Sequence, residues 1–162
     1  MKFGVLGKSL PHTYSPQIHK EFADYEYTVL ERTEEQVHEL FKGAESLDGF
    51  NVTIPYKKLA ASLCTEVSDE VRELGAANTI VRLPDGGYKG YNTDVYGFTY
   101  MLQSAGIEAA GKNCLILGTG GASVAVEYAL KKWVQRRLIF VRAQAPLIMK
   151  MFTKQLPTHK LS

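Results

Sequence analysis

The sequence predicts an α/β fold in two parts, from three observations. Runs of alternating or continuous apolar residues, the mark of strands, fall at residues 2–6, 25–31, 47–50, 77–83, 88–91 and 113–117. Segments of helical spacing lie between most of them, the alternation that builds a sheet with helices packed on it. A connector at residues 106–112, which contains Gly106 and Gly111, then separates a second strand-and-helix pattern from the first. The length of 162 residues suits one domain plus part of a second, and 45% hydrophobic with 22% charged residues is ordinary for a folded chain.

The first strand, residues 2–6, ends at Gly7, and residues 7–11 form a loop. His12-Thr13-Tyr14-Ser15-Pro16 starts a helix: Ser15 suits the N-cap and Pro16 the first helical position, with Ile18, Phe22 and Tyr25 as its apolar face. The hydroxyls of Thr13 and Ser15 stand at that helix entrance, where free N–H groups and the positive dipole end favour an anion; plain capping would use the same residues. Residues 25–31 alternate as a strand. Thr33-Glu34-Glu35-Gln36 then has the capping-box pattern, followed by Val37, Leu40 and Phe41 as an inner face and Gly43 as a stop.

The next junction is the stretch Asn51-Val52-Thr53-Ile54-Pro55-Tyr56-Lys57, between a strand at 47–50 and a helix at 58–63. It sets an amide, a hydroxyl and an ammonium where open α/β sheets hold their ligand-contacting groups. On spacing alone, Lys57 reads equally as a solvated surface lysine, and Asn51 and Thr53 as turn residues. A short helix at 68–74 closes at Gly75, and strands at 77–83 and 88–91 form a hairpin across Pro84-Asp85-Gly86-Gly87. Asn92-Thr93-Asp94 leads into a helix over 95–105 with Phe98, Met101 and Leu102 inward; Asp94 is a second polar group at a strand-to-helix junction, or simply a first-turn acid.

After the connector, residues 113–117 form a buried strand, and Gly118-Thr119-Gly120-Gly121-Ala122-Ser123 leads into a helix carrying Val124, Val126, Ala129 and Leu130. Strand, glycine turn and helix are the context of a dinucleotide site: Gly118 allows the tight turn and Gly120 the approach of a pyrophosphate. Ser123 replaces the third glycine of the generic pattern. A Walker loop is excluded, since no Gly-Lys-Ser/Thr follows. Residues 138–141 suit a second strand of this part.

Charge is unevenly distributed. Through Glu127 there are 17 acidic and 11 basic residues, a net of −6; from Tyr128 onward there are 8 basic residues and no acid. That basic end lacks the dense clusters of a nucleic-acid arm, and no run approaches the ~18 apolar residues of a membrane span. Residues 1–7 lack the apolar core of a signal peptide, and Cys64 and Cys114 lie far apart without metal-ligand spacing. The expectation is a cytoplasmic protein with buried, reduced thiols, no metal, no nucleic-acid or membrane partner, and an oligomeric state the sequence leaves open.

Five stretches in order give the chain a resemblance to the shikimate dehydrogenase family, which includes quinate/shikimate dehydrogenases. His12-Thr13-Tyr14-Ser15-Pro16-Gln17-Ile18-His19-Lys20 resembles its His-Ser-x-Ser-Pro-x-x-His-Asn pattern. Asn51 to Lys57 matches Asn-Val-Thr-x-Pro-x-Lys, and Gly75-Ala76-Ala77-Asn78-Thr79 matches Gly-Ala-x-Asn-Thr. Gly90-Tyr91-Asn92-Thr93-Asp94 matches Gly-x-Asn-Thr-Asp, and Gly118-Thr119-Gly120-Gly121-Ala122 matches Gly-x-Gly-Gly-Ala.

The resemblance implies an N-terminal three-layer α/β substrate domain over 1–105, followed by an incomplete Rossmann-type nucleotide-binding domain over 106–162. It implies reversible, NADP-dependent reduction of 3-dehydroshikimate to shikimate, in the biosynthesis of chorismate and aromatic amino acids. Thr13 and Ser15 would bind the substrate carboxylate, with Thr13 in place of the usual serine. Thr53, Asn78 and Asp94 would hold the ring hydroxyls, and Lys57 and Asp94 would form the catalytic pair. Gly118, Thr119, Gly120, Gly121 and Ala122 would hold NADP (NADPH), with Asp69 near the nicotinamide. Arg142-Ala143-Gln144 stands where the family usually carries Asn-Arg-Thr for the 2′-phosphate, and no acid is present there to select NAD.

Family members are longer, and the match fades after Leu130. With the acid-free end, this suggests a C-terminally truncated or frameshifted gene product. Two functions therefore compete: a shikimate (or quinate/shikimate) dehydrogenase, and a substrate-domain fragment that binds shikimate without turning it over.

Overall fold

The computed structural model describes residues 1–112, 114–118, 121–133 and 138–141. The chain divides into two units, Met1–Asp94 and Val95–Ser162.

The first unit holds strands β1 (Lys2–Gly7), β2 (Glu26–Glu31), β3 (Gly49–Val52), β4 (Glu66–Val67), β5 (Thr79–Arg82) and β6 (Tyr88–Tyr91), with helices α1 (Ser15–Phe22), α2 (Glu34–Phe41), α3 (Lys57–Leu63) and α4 (Asp69–Leu74). The six strands form one mixed sheet in the order β2-β1-β3-β5-β6-β4. Around β1 the pairing is parallel, then antiparallel from β3 through β5 to β6, and parallel again to β4. The short β4 is absent from the sequence expectation, because two residues cannot show a period of two.

Strand alternation decides what each face does. Leu6, Leu30, Phe50, Val52, Ile80 and Tyr88 point to one face and are buried with Val37 and Leu40 of α2, Ala60 of α3 and Val71 of α4. Phe41, Phe50 and Tyr88 meet edge to face, and the buried Tyr88 hydroxyl donates to the Leu40 carbonyl. The α2 start follows its sequence signal: Thr33 accepts from the Gln36 N–H while the Gln36 side chain accepts from the Thr33 N–H. Ser68 caps α4, and Gly75 closes it at φ +64, a left-handed conformation that suits glycine.

The opposite face carries Phe3, Tyr27, Asn51, Thr79 and Val81, which the register brings level: Phe3 opposite Tyr27, Val5 opposite Asn51, and Asn51 opposite Thr79. Helix α1 lies against this face, making the unit three layers. Its docking corrects the sequence reading. Ile18 is 52% and Phe22 72% exposed, and no residue of α1 is buried. Instead the His19 ring stacks on Tyr27 at 3.9 Å, and its Nδ1 lies 2.6 Å from the Tyr25 hydroxyl. Ser15 is also not the N-cap: Tyr14 holds that position without a side-chain cap, and Ser15 is the first helical residue. Cys64 and Cys114 are free and partly buried, and burial pushes the Cys64 thiol up to about 11.

In the second unit, α5 (Asp94–Ser104) is followed by β7 (Cys114–Leu117), α6 (Gly121–Trp133) and β8 (Leu138–Val141). β7 and β8 pair in parallel, so β7-α6-β8 is a βαβ unit. Phe98 and Leu102 of α5 pack with Ala109, Cys114, Ile116, Val126 and Leu130. This apolar contact draws all of α5 past Asp94 into the second unit, and places the division earlier than the connector at 106–112 suggests. Met101 is exposed, contrary to its expected inward position. Residues 113, 119, 120, 134–137 and 142–162, including Thr119, Gly120 and Arg142, lie outside the described residues. Among those described, no helix is long and apolar enough to cross a membrane.

His19→Ala therefore releases α1 without opening the core. One ring stack and one hydrogen bond, together ~1–2 kcal/mol, predict roughly tenfold faster amide exchange in α1 with slow exchange retained in β1 and β3. Unchanged protection of α1 would contradict this docking.

Candidate active site

Three of the residues singled out by sequence meet at the end of the first unit. Lys57 is the first residue of α3 and Asp94 the first of α5; the Lys57 ammonium donates to Asp94 Oδ2 at 2.6 Å. Their side chains are 19% and 31% exposed, so the pair is half-sheltered yet open to a ligand. Asn78, just before β5 and only 8% exposed, donates from Nδ2 to Asp94 Oδ1 at 2.9 Å. Both carboxylate oxygens of Asp94 are thereby occupied by donors from different parts of the chain.

Local sequence explains the arrangement. A lysine at a helix N-terminus faces the positive end of the dipole, at a cost of ~0.3–1 kcal/mol, and α3 carries no acid in its first turn to relieve it. Asp94 supplies that missing charge from 37 residues away, and as a carboxylate at the start of α5 it is itself favoured there. The loop that delivers it is fixed by its own amide: Asn92 Nδ2 donates to the Ala76 carbonyl at 2.9 Å, and Asn92 Oδ1 accepts the Asp94 N–H at 3.0 Å.

Asn78 ties the pieces together. Its Oδ1 accepts the Thr93 N–H at 2.9 Å and the Thr79 hydroxyl at 3.0 Å, while Nδ2 also contacts Thr93 Oγ1 at 3.1 Å. A buried amide with both ends engaged is stable; the same amide with partners removed leaves unpaired polar atoms at ~1–3 kcal/mol.

The remaining expected site residues lie on their own elements. Thr13 accepts from the Ser15 N–H at 3.3 Å, at the start of α1. Thr53 follows β3 and is fixed through its backbone, donating to the Leu6 carbonyl and accepting from the Tyr56 N–H. Asp69 lies in the first turn of α4, where its exposed carboxylate pairs with Arg72 at 2.8 Å. Gly118 follows β7 with φ +102, a value that glycine adopts readily, and open space surrounds the position a Cβ would take. Gly121 and exposed Ala122 open α6, whose first turn carries no acid, a charge pattern that suits an anion such as a pyrophosphate.

Sequence reasoning passed over Tyr27, Thr79, Asn92 and Thr93 as contributors. Tyr27 donates to Asn51 Oδ1 at 2.7 Å, and Asn51 Nδ2 lies 3.5 Å from Thr79 Oγ1. Thr79, Asn92 and Thr93 stood inside the matched motifs, whereas the only sequence signal for Tyr27 was strand parity, which sets it on the same face as Asn51 and Thr79 once the register is known.

Burial pushes the Tyr27 phenol up to about 12, and the Ser15 side chain, hydrogen-bonding the phenol oxygen, works against that rise. A raised phenol favours the neutral form in the folded state. Its contribution is fully present below pH 10, the unfolded value, and is lost as pH climbs towards 12. Ultraviolet difference titration of wild type against Tyr27→Phe should therefore resolve one tyrosine ionising near 12; a missing tyrosine with an ordinary midpoint would contradict the burial.

Residues 5–80 match the family model described as the shikimate dehydrogenase substrate binding domain. The shikimate dehydrogenase (NADP(+)) of Carboxydothermus hydrogenoformans is 42% identical over 134 residues, covering 78% of this chain and 48% of that protein. That of Alkaliphilus metalliredigens is 37% identical, covering 98% of this chain and 59% of the relative. Among solved structures, shikimate dehydrogenase 1 from Peptoclostridium difficile matches with a TM-score of 0.80 at 34% identity, over 90% of this chain and 57% of its own. A Thermus thermophilus shikimate 5-dehydrogenase in complex with NADP(H) and shikimate matches at 0.77 and 28% identity, over 95% of this chain and 60% of its own. The chain spans about half the length of the curated relatives it matches. On this evidence residues 5–80 carry the substrate-binding domain of the shikimate dehydrogenase family.

Proposed function

We propose that the first unit binds shikimate and 3-dehydroshikimate, and that the chain serves their NADP-dependent interconversion. The observation that carries this reading is the Lys57–Asp94 pair held by Asn78. It unites three separate sequence motifs at one ligand-accessible point, and similar relatives are named shikimate dehydrogenases (NADP(+)).

In this reading Thr13 and Ser15 bind the substrate carboxylate at the start of α1, where hydroxyls and free helix N–H groups suit an anion. Thr53, Asn78 and Asp94 receive the ring hydroxyls. At the reacting carbon, Lys57 and Asp94 exchange the hydroxyl proton with the substrate oxygen; a positioned acid/base of this kind contributes ~10²–10⁴-fold. NADPH, when bound, supplies the hydride. The turn from Gly118 through Thr119, Gly120, Gly121 and Ala122 would hold its pyrophosphate against the N-terminus of α6. Residues 1–94 are then the substrate-binding part and the βαβ unit the cofactor-binding part.

NADPH formation from shikimate and NADP by the purified chain tests the reading, beside calorimetric binding of shikimate. Lys57→Ala should lower turnover at least ~100-fold, in line with loss of an acid/base group, with shikimate still bound. Equal turnover in wild type and Lys57→Ala would overturn the assignment of the pair. Shikimate binding with no turnover in either would favour a substrate domain that binds without catalysis.

Asn78→Ala should lower stability by ~1–3 kcal/mol, because the Thr93 N–H and Asp94 Oδ1 lose their partner together. Thermal unfolding measures the loss. A melting temperature equal to wild type would remove Asn78 from its central place.

A further inference from the structure

Helix α1 starts with Ser15 and follows closely on Thr13, so its placement decides where both hydroxyls stand. It is also the only helix of the first unit without a buried residue. Tyr14 at its N-cap, Ile18 and Phe22 are each more than half exposed, so the apolar residues expected to seat the helix do not. Only Ser15, Pro16 and His19 are half-buried. Positions 15 and 19 lie one above the other on a single helix face. Of these three, His19 alone brings an aromatic ring to the sheet. That ring stacks on Tyr27 at 3.9 Å and 17°, meets Tyr25 edge-on at 5.9 Å, and holds its Nδ1 2.6 Å from the Tyr25 hydroxyl.

The surface beneath His19 is itself fixed. Tyr25 packs edge to face on Phe3 of β1 at 5.0 Å, and the Tyr27 hydroxyl donates to Asn51 Oδ1 on β3 at 2.7 Å. The two tyrosines therefore form a platform tied to three strands, the last of which leads into Thr53 and Lys57. A ring stack restrains both the height and the rotation of the helix above it, one turn away from Ser15. Exposed side chains restrain neither.

We propose that His19 is a positioning residue for the substrate carboxylate, acting through α1. Its ring pins the helix to the Tyr25–Tyr27 platform, and so sets the span from the Thr13 and Ser15 hydroxyls to the Lys57–Asp94 pair. The link is mechanical and takes no proton from either hydroxyl. This inference rests on the reading of Thr13 and Ser15 as carboxylate ligands.

Calorimetry on the full chain gives dissociation constants for shikimate and for its methyl ester in wild type, His19→Ala and His19→Phe. The same is done in a Thr13→Ala/Ser15→Ala background, with and without His19→Ala. When only a fraction of molecules holds the competent arrangement, apparent affinity falls by that fraction. A docked fraction of about one tenth in His19→Ala predicts roughly tenfold weaker shikimate binding, with ester binding changed less than about twofold. His19→Phe keeps a ring for the Tyr27 stack and should recover shikimate affinity to within about threefold of wild type. A residue acting through the two hydroxyls is non-additive with them, so His19→Ala should cost less than about twofold more in their absence. Equal losses for acid and ester, no recovery in His19→Phe, or additive losses would overturn the proposal in favour of a general packing role. Unchanged shikimate affinity in His19→Ala would overturn it alone. By contrast, unchanged affinity in Thr13→Ala/Ser15→Ala, or a wild type that binds neither ligand, would remove the carboxylate-site reading and this inference with it. Melting temperatures establish that each variant is folded. The Ser15 backbone amide resonance gives a readout independent of ligand: it should move in His19→Ala and return towards wild type in His19→Phe, and an identical resonance in His19→Ala would contradict the link.

Discussion

The buried amide of Asn78 is the interaction on which the site depends. Its Oδ1 accepts from the Thr93 backbone and the Thr79 hydroxyl, while its Nδ2 donates to Asp94. It therefore fixes the loop between β6 and α5 against the start of β5. An amide suits this place because it both accepts and donates; a carboxylate there would face Asp94 with a like charge, and an apolar residue would strand several polar groups. Once Asn78 is in place, the position of Asp94 is no longer free, and Lys57 has a partner.

The second constraint is electrostatic. Lys57 at the first position of α3 works against the helix dipole, a local rule broken at the candidate site. Asp94 offsets that cost and gains from the dipole of α5. Functional sites commonly concentrate such local conflicts, resolved by long-range contacts that cost chain entropy to bring together. The sheet supplies the rigidity for this. One face is closed by α2, α3 and α4 over Leu6, Phe50, Ile80 and Tyr88, which leaves the other face free to carry the polar chain through Tyr27, Asn51 and Thr79.

Much of this was legible in the sequence, where strong local signals coincide with the outcome. The capping box at Thr33, the Ser68 cap, the Gly75 stop and the hairpin around Gly86 are short-range chemistry, and residues 77–91 fold accordingly. The junction residues Lys57 and Asp94 were legible as polar groups at strand ends, though nothing local joins them across 37 positions. Other features were not legible because they depend on register or packing. The docking of α1 through His19 rather than Ile18 and Phe22 requires knowing that Tyr27 lies beneath it. The assignment of α5 to the second unit follows from Phe98 and Leu102 meeting Ile116 and Leu130, a contact that no connector composition announces. The roles of Tyr27 and Thr79 emerge only when three strands are laid side by side.

The most direct test of the central claim is a titration of the isotope-labelled chain with shikimate, followed through the Asn78 side-chain amide and the Lys57 ammonium. The account predicts saturable shifts at both groups, with the same dissociation constant, and little change in the core beneath α2. Saturable binding that moves neither Asn78 nor Lys57 would contradict it, since the ligand would then occupy some other part of the molecule.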